Sequence, residues 1–193
     1  NALQYLGGKT HLSDRWDKLQ TCDLLMLPGV GAFPEGIRKL SERNLLNSLI
    51  EWGKNGKPLI GICLGMQMMF EKGEEFEVTE GLGLFRGKVK KLNPYCISMG
   101  NDNKLPLPHM GWNKIFIEKK SEFLQGINNE SWMYFVHSFK FKIDQTLTLT
   151  KSEYGQEFSS SINKENIFAT QFHPEKSSSI GLKVLDNFSK LSN

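Results

Sequence analysis

The sequence predicts an α/β protein, a mixed β-sheet with helices packed on its faces. Three observations carry that prediction. Up to about residue 80, short β-rich runs alternate with helical patterns, as they do where helices cover a sheet. Beyond about residue 81, strand-like runs follow one another through turns instead of long helices, so antiparallel or mixed pairing is expected there. Length is the third: 193 residues suffice for one domain with a real core and are too few for two ordinary ones.

The elements follow in order. NALQYLGG (1–8) reads as the last turns of a helix stopped by glycines, and KTHLS (9–13) as a strand. CDLLMLPG (22–29) is a buried strand running into a turn. Ile37, Leu40, Leu45, Leu49 and Trp52 recur at helical spacing through 35–56, which predicts one amphipathic helix or a broken pair. PLIGIC (58–63) is the next strand, with a short helix after it. KVKKL (88–92), NKIFIE (113–118), SWMYFV (131–136), LTLT (147–150), FSSSI (158–162) and IFATQF (167–172) read as strands, and 179–191 as a closing amphipathic helix. The segment 93–111 reads as a long polar loop. Doubly wound α/β domains open with a strand, so the pattern places a missing strand ahead of Asn1.

Composition removes several function classes. An apolar fraction of 39% and a charged fraction of 23% are those of a soluble globular protein. No apolar run approaches the roughly 20 residues that span a bilayer, so no membrane partner is expected. The N-terminus lacks a basic-then-apolar pattern, and nothing argues for export. Three cysteines form no disulfide framework, and no Cys-x-x-Cys or His-x-x-x-His pair suggests a metal. The reducing cytosol is the simplest compartment. Net charge +3 from scattered lysines makes no electrostatic case for nucleic acid.

The chemistry concentrates at Gly61-Ile62-Cys63-Leu64-Gly65. A nucleophile on a tight strand-to-helix turn takes a strained backbone, and side chains two positions away would collide with the neighbouring strand and helix. The helix N-terminus favours a thiolate, and its free N–H groups can hold an oxyanion. The bland alternative is a small buried cysteine with glycines easing packing. A thiol nucleophile needs a base, and the base an orienting group. Among four histidines, His11 reads as structural, His109 follows a proline loop and His137 ends a strand. His173 stands at the end of an apolar strand, with Pro174 stiffening the exit and Glu175 two residues on, on the same side of an extended chain. Alone, it would read as a surface turn. With Cys63, a Cys63–His173–Glu175 triad is the better reading, because both sites fall at strand ends.

GICLGMQ (61–67) together with QFHPEKS (171–177) resembles the class I glutamine amidotransferases. LPGVGAFPEGI (27–37), LPHMGWN (107–113), YFVHSF (134–139) and GLGLFRGKV (81–89) resemble the glutaminase subunit of imidazole glycerol phosphate synthase, the HisH family. The resemblance implies a three-layer α/β/α, flavodoxin-like fold with a mixed sheet, and one amidotransferase domain over 1–193. It makes Cys63 the nucleophile, His173 the proton carrier and Glu175 its orienting group. The Leu64 N–H would be one oxyanion donor, and the turn with Gly29, Val30 and Gly31 would supply the other, after a peptide flip. Gln67, His137 and Ser138 would hold glutamine beside the Gly31 main chain. Met110, Trp112, Asn113, Tyr134 and Lys176 would lie near a cyclase partner, the (β/α)-barrel synthase subunit that receives the ammonia. Met110 and Trp112 as core, and Lys176 as a solvated helix-start lysine, remain alternatives. No cofactor or metal is implied.

The sequence departs from the family at its start. HisH chains open with a strand and a Tyr-Gly-x-Gly-Asn loop before the helix that here begins at NALQYLGG, so the fold is expected to lack its first strand and a loop beside the glutamine site. Two alternatives stand beside histidine biosynthesis: a HisH-like protein supplying ammonia for surface-sugar amidination, and a non-catalytic interaction subunit.

Overall fold

The computed structural model describes residues 2–93, 95, 104–142 and 144–192. A short helix α1 (Ala2–Tyr5) ends at Gly7, whose φ of 84° needs no side chain, and α2 (Trp16–Leu19) follows. Then come strand β1 (Leu25–Gly29), helices α3 (Phe33–Glu42) and α4 (Leu46–Lys54), strand β2 (Leu59–Cys63) and the short helix α5 (Leu64–Met68). The 35–56 pattern is thus a broken pair, parted where Asn44 turns left-handed at φ 55°. No side chain of the N-cap Ala32 caps α3; instead the Phe33 N–H donates to Glu75 Oε2 at 2.7 Å.

Strands β3 (Phe70–Glu75), β4 (Glu77–Glu80), β5 (Phe85–Lys91), β6 (His109–Lys114), β7 (Phe116–Ile117), β8 (Trp132–His137), β9 (Phe139–Phe141), β10 (Thr148–Glu153), β11 (Glu157–Lys164) and β12 (Ile167–Thr170) lead to the closing helix α6 (Ser178–Ser189). The main sheet has six strands in the order β1-β2-β12-β11-β10-β7. Pairing is parallel across β1, β2 and β12 and antiparallel beyond, which is the expected mixed sheet. A second sheet runs β4-β3-β5-β9, and β6 and β8 form a separate antiparallel ribbon.

β2 is buried along its whole length, and its alternate residues feed two cores. Leu59 joins the cluster under α3 and α4, while Ile60 and Ile62 join the one covered by α1 and α6. Helices therefore cover both faces of the sheet. No helix among the described residues is long and apolar enough to cross a membrane.

Two expectations are corrected, and one element is new. Residues 9–13 form no strand: they pair with no strand among the described residues and Leu12 is fully exposed, since a β-run without a hydrogen-bonded neighbour has no reason to hold that conformation. The loop expected over 93–111 ends early, because His109–Lys114 pairs residue for residue with β8; residues 94 and 96–103 lie outside the described part. The β3–β4 hairpin was not anticipated. Its Lys- and Glu-rich runs lack apolar alternation and are held by their neighbours in the second sheet.

The glycines around Cys63 have measurable work. A Cβ on Gly65 would overlap the Leu27 carbonyl oxygen, and one on Gly61 would come within 2.7 Å of the Met66 nitrogen. Both obstacles are backbone and cannot swing away. Gly65→Ala should therefore cost about 3 kcal/mol or more, at the upper end of overpacking effects. A urea midpoint unchanged in that variant would contradict the close β1–α5 approach.

Candidate active site

Parallel strands β1, β2 and β12 end along one edge of the main sheet, where open α/β sheets bind ligands. The register sets Gly29 beside Cys63. Cys63 caps α5 with φ 54° and ψ −109°, a strained conformation for any residue but glycine. Leu64, as the first residue of α5, has no helical carbonyl before it to bond, so its N–H points out of the helix end.

β12 carries the chain past Cys63 into the turn holding His173. His173 Nδ1 and Glu175 Oε1 are 2.7 Å apart. The backbone of His173 is fixed on both sides. Its N–H donates to Tyr134 O at 2.8 Å, and its carbonyl accepts from the Ser177 hydroxyl at 2.6 Å. The same hydroxyl accepts from the Tyr134 N–H at 2.9 Å, tying the turn to β8.

Protonation separates the histidines. Burial opposes charge on His173, but the Cys63 sulfur and the Glu175 carboxylate outweigh it and push it up to about 9. The His173 Nε2 is buried and meets no strictly aligned partner among the described residues, yet the nearby Cys63 sulfur raises its proton affinity as a hydrogen-bond acceptor first and by charge second. Burial also works against the Glu175 carboxylate, yet its bond to His173 holds it below the usual range.

His137 behaves oppositely. Burial pushes it down to about 3, despite its bond to the Phe139 carbonyl. His109, stacked at 4.1 Å on Tyr154 and 5.0 Å on Phe135, is lowered by burial to about 4. Their tautomers follow from the partners. Phe139 O only accepts, so His137 Nδ1 carries the proton at 2.7 Å, and bare Nε2 accepts from His109 Nδ1 at 3.0 Å. His109 Nε2 in turn accepts from the Asn113 amide at 3.3 Å. Of these three, only His173 can take up a second ring proton and become charged at neutral pH.

A cavity of about 240 Å³ opens at Cys63, between Val30, Gly31, Leu64, Gln67 and the 136–139 stretch with His137 and Ser138. Three larger hollows, of about 590, 830 and 910 Å³, contain none of these residues. The Gln67 Nε2 donates to Phe139 O at 3.2 Å and to Gln171 Oε1 at 3.0 Å. Both amide hydrogens are thereby used, and what Gln67 can offer a ligand is its carbonyl oxygen.

The structure brings together Cys63, His173, Glu175, Gly29, Val30, Gly31, Leu64, Gln67, His137 and Ser138. Met110, Trp112, Tyr134 and Lys176 form a separate outer group on the β6–β8 ribbon and the 173–177 turn. Met110 is 63% and Trp112 50% exposed, so neither is core. Trp112 lies edge-on to Tyr134, with the Lys176 ammonium 5.7 Å from the same ring. Asn113 turns its amide inward, to His109 and to the Glu153 carbonyl.

Sequence reasoning missed Glu75, Gln171, Ser177 and Trp132. Glu75 lines the cavity from β3, and Trp132 extends the exposed aromatic surface at 51% exposure. Gln171 and Ser177 were visible inside QFHPEKS, but their partners come from distant strands.

The glutamine amidotransferase class-I family model matches residues 8–191. The imidazole glycerol phosphate synthase subunit HisH 1 of Campylobacter jejuni is 44% identical over 98% of this chain and 92% of its own length. The subunit HisH of Methanocaldococcus jannaschii is 42% identical over 95% of this chain and 88% of its own. Among solved structures, the crystal structure of a glutamine amidotransferase superposes with a TM-score of 0.73 at 16% identity, covering 99% of this chain and 90% of that one. That last likeness bears on fold alone.

Proposed function

This chain belongs to the class I glutamine amidotransferases and within them to the HisH family, and from that premise we propose that it is the glutaminase subunit of imidazole glycerol phosphate synthase in histidine biosynthesis. In this reading residues 1–193 work as one amidotransferase domain in the cytoplasm. The observation that carries it is Cys63, strained at the C-terminal end of β2 and coupled to a His173 that Glu175 holds at 2.7 Å.

In the reacting pair the Cys63 thiol gives its proton to the His173 Nε2. The Cys63 sulfur adds to the side-chain carbonyl carbon of glutamine, and the carbonyl oxygen takes the electron pair. The Leu64 N–H and a peptide N–H of the 29–31 turn receive that oxyanion. Collapse breaks the C–N bond, and the leaving nitrogen takes the His173 Nε2 proton and departs as ammonia. A thioester remains. Water then adds to it, giving its proton to His173, and the second collapse returns an electron pair to sulfur and frees glutamate. His137, neutral and buried, shapes the wall without competing for the proton. Glu75, the one carboxylate lining the cavity among the described residues, suits the ammonium of an amino acid.

The exposed Met110, Trp112 and Trp132 support a protein partner on the β6–β8 ribbon, the cyclase barrel that would use the ammonia. A glutamine-analogue diazo-ketone tests the nucleophile. It should alkylate Cys63, with glutamine protecting, and spare Cys22, a half-buried thiol packed against the first core. Cys96 should be spared too, although it lies outside the described residues. Equal labelling of all three by mass spectrometry would sink the assignment.

A further inference from the structure

Gln171 is buried between Gln67 and Cys63, one residue past β12, and its Nε2 lies 3.7 Å from the Cys63 sulfur. Which end of the amide faces the sulfur follows from the hydrogen-bond partners. The Phe139 carbonyl can only accept, so Gln67 turns its nitrogen there, and the second hydrogen of that nitrogen reaches Gln171. Gln171 must meet it with Oε1, which leaves Nε2 toward the sulfur. Reversed, two donors would face each other and an oxygen would confront the thiolate.

The other contact of the sulfur has the opposite polarity. Sγ lies 3.6 Å from the Val136 carbonyl, which can accept from a thiol S–H and offers nothing to a thiolate. Loss of the thiol proton therefore turns a favourable contact into a repulsive one. A compensating donor is needed, and beside the imidazole and the N-terminus of α5 the side-chain N–H of Gln171 stands in place. The ionisable groups around this position are His173 with Glu175 behind it, His137 on β8, and Glu75 in the cavity wall.

Resting on the reading of Cys63 as nucleophile, we infer that Gln171 is a further catalytic residue: its side-chain N–H holds the thiolate. The Phe139 carbonyl, acting through Gln67, fixes the amide so that nitrogen faces sulfur. Gln67 and the Phe139 carbonyl are positioning groups in this arrangement. The His137 Nδ1–H, sharing that carbonyl, braces it from the other side.

The test is the pH profile of Cys63 alkylation by iodoacetamide in the full chain, for Gln171→Glu and Gln171→Met. Both keep the length of the side chain and remove the N–H donor. Loss of a hydrogen bond to a charged group should slow alkylation at pH 7 about tenfold and move its midpoint up by about one pH unit. In the assembled complex, kcat should fall with it while KM changes little. A wild-type profile in both variants would overturn the inference. Should neither variant fold, the Gln171 side-chain amide signals of the 15N-labelled wild type must shift with the alkylation midpoint; signals that stay put overturn it equally. Wild-type Cys63 that resists alkylation altogether would overturn the nucleophile reading along with it.

Discussion

Cys63→Ala is expected to lower glutamine hydrolysis in the assembled complex by about 10⁶-fold, and His173→Ala by nearly as much, since nucleophile and base act as a unit. The expectation is sharper for the protonation pattern. With His137 and His109 held neutral at about 3 and 4, no other buried histidine can take over proton transfer when His173 is lost. Glu175→Gln should leave more residual rate, a loss of about 10⁴-fold, because it removes the charge that favours the imidazolium and leaves the ring in place. The turn itself should survive, as Ser177 and Tyr134 hold the His173 backbone without help from the carboxylate. Steady-state glutamate release decides the order. A His173→Ala variant at the wild-type rate would remove His173 as the base.

The free chain is expected to hydrolyse glutamine slowly, and to speed up by about 10² to 10³-fold when the barrel partner and its nucleotide ligand are added. That factor is what one missing oxyanion donor costs. The expected switch is the turn after β1, whose two glycines differ in their surroundings. Gly29 is packed: a Cβ there would sit 3.0 Å from the Leu64 Cβ and 3.1 Å from the Gly65 nitrogen. Gly31 has open space and a φ of 105°, so the Val30–Gly31 peptide is the one free to present either a carbonyl or an N–H to the site. Val30 is exposed, so a docked partner could bear on it directly. Gly31→Ala should restrict this flip and lower the activated rate more than the basal one. Equal glutamate release with and without partner would contradict gating and leave the triad standing.

Much of the site was legible in the chain because its chemistry is local. Gly61, Cys63 and Gly65 mark a strand-to-helix turn by themselves, and the structure supplies the obstacles that demand glycine: the Leu27 carbonyl and the backbone at Gly65 and Met66. His173 and Glu175 are two residues apart, so the spacing already allowed their 2.7 Å contact. The broken helix over 35–56 and the closing helix were readable from apolar period.

Other features had no local signature. The β3–β4 hairpin is rich in charge, and only pairing to β5 makes it sheet. Residues 9–13 looked like a strand and are not one, since strand character depends on a neighbour that local sequence does not name.

By itself, then, the sequence determined the α/β class, the cysteine on its strand-to-helix turn and the histidine–glutamate couple, all properties of residues within a few positions of one another. Tertiary structure alone decided which histidine carries charge. His173 and His137 are both buried, but one faces the Cys63 sulfur and a carboxylate while the other donates to a carbonyl and meets a second neutral imidazole. It also decided which end of Gln171 faces Cys63, through a carbonyl on β9 that can accept and never donate. Proton affinity and hydrogen-bond direction depend on what surrounds a group in space, and those surroundings come from strands far apart in the chain.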